Sequence, residues 1–92
     1  MNKCLRITVF GDYTDDLLTS FVQKIAHTFE LEGTASAIDE TQALIIVCGD
    51  KDKVDGFLDA LHKGTTKWKP EDLEVEPFLK DKDYRGVFRV IK

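Results

Sequence analysis

Three aspartates, Asp12, Asp15 and Asp16, stand within Gly11-Asp-Tyr-Thr-Asp-Asp-Leu-Leu-Thr19, and no base accompanies them. Carboxylates this close together could hold Ca²⁺ or Mg²⁺, because hard cations take oxygen ligands. The Asp-x-Asp-x-Asp-Gly spacing of a calcium loop is missing. A helix cap asks for less: one carboxylate accepting backbone N–H bonds at the positive end of the dipole contributes about 1 kcal/mol. Capping by Asp15 or Asp16 is therefore preferred to a metal site, and neither a metal nor a cofactor is expected. Asp50, Asp52 and Asp55 read in the same way, as the start of a second helix.

The other reactive side chains add little chemistry. His27 falls on the flank of a helical apolar stripe and His62 near the end of a second helix, and neither has an identifiable partner. Ser20 and Ser36 belong to no visible triad, so nucleophilic catalysis has no support. Lys67-Trp68-Lys69, beside Pro70, is the nearest approach to a nucleic-acid motif. A single tryptophan between two lysines falls short of the basic stripe with interleaved aromatics that such binding needs. No nucleic-acid partner is expected.

The elements that must position these residues follow from periodicity. In Cys4-Leu-Arg-Ile-Thr-Val-Phe10, Leu5, Ile7 and Val9 alternate with Arg6 and Thr8, which predicts a half-buried strand. Leu18, Phe21, Val22, Ile25 and Phe29 make one helical stripe, ending near Gly33. Strands over 34–39 and 43–48 flank Asp39-Glu-Thr-Gln42, a polar run suited to a hairpin turn. A second helix begins near Asp52, buries Val54, Phe57, Leu58 and Leu61, and stops at Gly64. Residues 73–78 and 87–91 supply closing strands. The order β-α-β-β-α-β predicts an α+β, ferredoxin-like sandwich, with two helices on one face of an antiparallel four- to five-stranded sheet.

The 92 residues, 33% charged and 42% hydrophobic, suit one domain with one core. The longest apolar run, Ala43 to Cys48, is far too short to span a membrane, and Arg6, Thr8 and Gly11 interrupt any secretory h-region. A cytoplasmic protein with no membrane partner is expected. Net charge is −4, and residues 1–46 hold three bases against seven acids whereas residues 47–92 hold ten of each. The excess negative charge therefore lies in the half that carries the opening turn, the kind of strand-to-helix junction where converging N–H groups otherwise favour an anion.

The scaffold residues resemble the acylphosphatase family from about Cys4 to Ile91. The likeness rests on a strand ending in Gly11, on Leu31-Glu-Gly33, and on Cys48-Gly49-Asp50 leading into the helix Val54-Asp-Gly-Phe-Leu-Asp-Ala-Leu-His-Lys-Gly64. The closing Val87-Phe-Arg-Val90 also fits. Members of that family hydrolyse carboxyl–phosphate anhydrides. The resemblance implies a phosphate cradle over Gly11–Thr19, the residues Gly11, Asp12, Tyr13, Thr14, Asp15, Asp16, Leu17, Leu18 and Thr19. It also implies an arginine that grips the phosphate and an asparagine that orients water. Aligned without gaps on Gly11 and Gly33, the arginine position is Thr19, the asparagine position is Ala37, and the second cradle glycine is Asp15. Each required residue is absent.

Two expectations follow from the resemblance. The domain is a catalytically inactive binding or interaction module whose partner, a protein or small molecule, is unnamed; the alternative is a divergent acylphosphatase using a relocated arginine, Arg6, Arg85 or Arg89. It is a monomer or an edge-paired dimer. In this fold the third strand lies antiparallel beside the first, so Cys4 and Cys48 come close, and some bacterial members carry cysteines there. A disulfide would stabilise by about 4 kcal/mol through a loop of about 45 residues, whereas a reducing cytosol favours two packed thiols.

Overall fold

Strand β1, Asn2–Phe10, extends the alternating run by two residues and keeps its phase: Leu5, Ile7 and Val9 are buried. The fold is known from a computed structural model, which describes residues 2–11, 18–64, 70–77 and 86–91. The first helix, α1, opens with a π-helical turn over Leu18–Val22 and continues as α-helix over Gln23–Thr28. Strands β2, Glu32–Asp39, and β3, Gln42–Asp50, form a hairpin; Asp39 closes its turn by accepting the Thr41 N–H at 2.8 Å. Helix α2, Lys51–Lys63, follows at once, then β4, Asp72–Pro77, and β5, Phe88–Ile91.

These strands form one sheet in the order β4-β1-β3-β2-β5. All neighbours run antiparallel except β5, which runs parallel to β2. The expected antiparallel sheet is thus a mixed one. The alternation of Val87-Phe-Arg-Val-Ile91 suits either direction, so residue pattern alone could not distinguish them.

Register defines the two faces. On one, the rows Val75–Ile7–Ile45–Ala35–Val90 and Pro77–Leu5–Val47–Gly33–Phe88 cross the sheet. Val22 and Ala26 of α1 and Val54, Phe57 and Leu61 of α2 complete a single core with this face. The other face carries Glu76–Arg6–Ile46–Thr34–Arg89 and Glu74–Thr8–Leu44–Ser36–Ile91. Gly33 has φ +143°, and a Cβ there would run into the Ile46 carbonyl of β3, so this position admits only glycine without distortion. At Gly56, an added Cβ would lie 2.6 Å from the Phe29 ring, and its absence lets the end of α1 pack against α2.

Candidate functional site

Gly11 is buried where β1 ends, and its N–H bonds to the Thr41 carbonyl at 2.9 Å. The Glu71 N–H bonds to the Phe10 carbonyl at 2.8 Å. The exit of β1 is therefore pinned between the hairpin turn and the segment entering β4. Asp12, Tyr13, Thr14, Asp15, Asp16 and Leu17 lie outside the described residues, as do Lys67, Trp68 and Lys69. Leu18 and Thr19 open α1 within the π-helical turn.

Ala37 is exposed near the end of β2. It pairs with Ala43, which pairs with Val9, so it stands two strands from β1, about 10 Å away. By alternation it shares the helix-side face with Ala35, just before a bulge that leaves Ile38 54% exposed. The fold thus brings Gly11 and Ala37 to the same end of the sheet. Its methyl group offers no hydrogen bond.

The candidate replacement cations stand elsewhere. Arg6 and Arg89 occupy the outer face, and Arg6 Nη2 bonds to Glu76 Oε2 at 3.0 Å. Arg85 lies outside the described residues. Lys24 is exposed on α1, and His27 is exposed one turn further on. With Gln23 and Thr28 they line an open concavity of about 530 Å³. Sequence reading did not select this flank; the signal was Lys24 and His27 with no acid along α1. His62 is exposed in the last turn of α2. Among the described residues, no cluster of metal-ligating side chains is present and no helix is long and apolar enough to cross a membrane.

Cys4 and Cys48 face each other across β1 and β3, and their sulfurs are joined. Direct cross-strand register brings the pair together, with Cα atoms 4.1 Å apart.

The acylphosphatase family model matches residues 6–90. The chain belongs to the acylphosphatase family. Among solved structures, an acylphosphatase from Bacillus subtilis superposes with a TM-score of 0.85 at 23% identity over 100% of both chains. One from Coxiella burnetii gives 0.85 at 22%, covering 98% of this chain and 93% of that one. Full-length HypF, solved in a phosphate- and nucleotide-bound form, matches all of this chain over 12% of its own, with a TM-score of 0.82 and 18% identity. These identities establish a shared fold. No curated protein sequence matches the chain.

Proposed function

We propose that this acylphosphatase-family domain is non-catalytic and acts as a binding or interaction module. What supports the reading is that a gapless alignment on Gly11 and Gly33 sets Thr19 at the family's arginine position, Ala37 at its asparagine position and Asp15 at a cradle glycine. A guanidinium pairs bidentately with phosphate oxygens and is always charged, whereas threonine offers one neutral hydroxyl. Alanine cannot hold the attacking water. A carboxylate about 4 Å from a phosphate oxygen repels it by roughly 4 kcal/mol per unit charge at an effective dielectric near 20. Losing one stabilising donor typically slows such a reaction by about a hundred- to a thousand-fold.

The placement of Arg6 and Arg89 on the sheet face remote from Ala37 favours this reading over the relocated-arginine alternative, for which Arg85 is the candidate still to be placed. Hydrolysis of benzoyl phosphate tests the choice. Turnover is expected to equal the buffer background. Turnover well above it, abolished by Arg85→Ala, would establish a divergent acylphosphatase instead.

A further inference from the structure

Where α1 runs beside β5, the charged side chains of these two elements are of one sign, while Glu32 of the neighbouring strand β2 lies beside Val87. From Leu18 to Phe29 the chain has Lys24 and His27 and no carboxylate, and from Gly86 to Lys92 it has Arg89 and Lys92 and again none, although the net charge is −4. Lys24, His27, Thr28 and Arg89 are exposed. Gln23, Lys24, His27 and Thr28 line the concavity described above.

Beside this concavity lies an edge of the sheet. β5 is last in the strand order and, among the described residues, pairs with β2 alone. The Gly33 N–H bonds to the Val87 carbonyl at 3.0 Å, which sets the phase of the parallel ladder. Residues 87, 89 and 91 therefore turn their main-chain groups toward β2, while Phe88 and Val90 turn theirs outward. The outward Phe88 carbonyl accepts from Gln23 Nε2 at 3.4 Å, tying α1 to the edge. The Phe88 N–H and both main-chain groups of Val90 point to the rim.

We propose that this edge binds an extended acidic segment of a partner protein as a sixth strand beside β5. The strand edge calls for a peptide, because its outward groups form ladder hydrogen bonds. The bases call for carboxylates on both faces of that peptide: Arg89 lies on the outer sheet face, and Lys24 lies across the concavity on the helix side. The opposite edge of the same sheet carries Asp72, Glu74 and Glu76, so it repels an acidic segment. This proposal rests on the interaction-module reading and names its surface and the chemistry of its partner.

The test titrates the isotopically labelled full chain with the peptide Val-Asp-Glu-Val-Asp-Glu, whose period-two alternation puts carboxylates on both faces, and with a counterpart carrying lysine at each acidic position. Saturable amide shifts are expected at Phe88–Ile91, with exchange of the Val90 amide slowed at least about tenfold at saturation. The lysine peptide is expected to give none. Lys24→Glu with Arg89→Glu should weaken binding by about tenfold or more while leaving the melting temperature in place. Absence of shifts at millimolar peptide, or binding unaffected by charge reversal, overturns the proposal. So does concentration-dependent self-association that moves the same amides without peptide, because a second copy then occupies the edge. Failure of the unsubstituted chain to bind the acidic peptide, with no acyl phosphate turnover, removes this proposal alone; enzymatic turnover removes the module reading.

Discussion

Ala37 projects from the helix-side face of β2 at the sheet end where Gly11 begins its turn, and its exposure leaves room for a larger side chain. Ala37→Asn is expected to change unfolding free energy by less than about 0.5 kcal/mol, as for surface substitutions generally. On the proposed non-catalytic reading, which sets Thr19 at the arginine position, it should alone leave benzoyl phosphate hydrolysis at background. Gly33 is the contrasting case. Its φ of +143° and the Ile46 carbonyl in the path of any Cβ mean that Gly33→Ala should cost about 3 kcal/mol. Urea unfolding followed by circular dichroism measures both; a Gly33→Ala protein of undiminished stability would contradict the backbone argument. The choice of Ala37 came from a gapless alignment on two glycines. The need for Gly33 could not be read from periodicity, because its cause lies on the neighbouring strand.

Helix α2 shows how an element is fastened at its start. Asp50 caps it by accepting the Asp52 N–H at 3.1 Å, a contact worth about 1 kcal/mol in typical caps. Asp55 accepts from Lys3 Nζ at 3.0 Å and from Lys51 Nζ at 3.3 Å. Lys53 reaches back to Glu30 at 2.8 Å, so β1, α2 and the turn after α1 are drawn together. The bond from Lys3, followed by that from Lys51, lowers the Asp55 pKa, and the bond from Lys53 lowers that of Glu30. Glu30 in turn raises the Lys53 pKa. A carboxylate with a lowered folded-state pKa adds stability above its unfolded value, and that stability is lost as pH falls through the folded value. The tether should therefore loosen below the ordinary carboxylate value of about 4. Asp55→Asn should lower the urea midpoint at pH 7 and leave it nearly unchanged at pH 2.5; an equal shift at both would contradict the ion-pair account. The aspartates could be read from sequence as a helix start. Their lysine partners could not, since Lys3 and Asp55 meet only after β1 and α2 pack. The π-helical opening of α1 was equally hidden, because the Leu18–Phe29 stripe fits an ordinary helix.

At the scale of the whole molecule, the sheet is long in topology: β1 is an interior strand, yet its neighbours β3 and β4 are distant in sequence. The Cys4–Cys48 bond fixes one of these distant pairings across 44 residues of separation, and it encloses most of β1, α1, β2 and most of β3. Periodicity and element order gave access to the α+β sandwich and the hairpin. The parallel placement of β5 depends on a crossover whose direction leaves no mark on a four-residue strand. A cross-link matters most when the contacts it holds are non-local, because the unfolded chain otherwise gains the entropy of a large open loop. On that account, reduction should lower unfolding free energy by about 4 kcal/mol while leaving the core packing of Ile7, Ile45 and Phe57 in place. Thiol titration of the purified protein should find no reactive thiol under denaturing conditions without reductant and two after reduction. The Cys4→Ala, Cys48→Ala protein should then match the reduced protein in its urea midpoint and be insensitive to reductant. Two thiols reacting before reduction would show that cross-strand register brings the cysteines together without joining them, and the stability ascribed to the bond would have to come from the sheet itself.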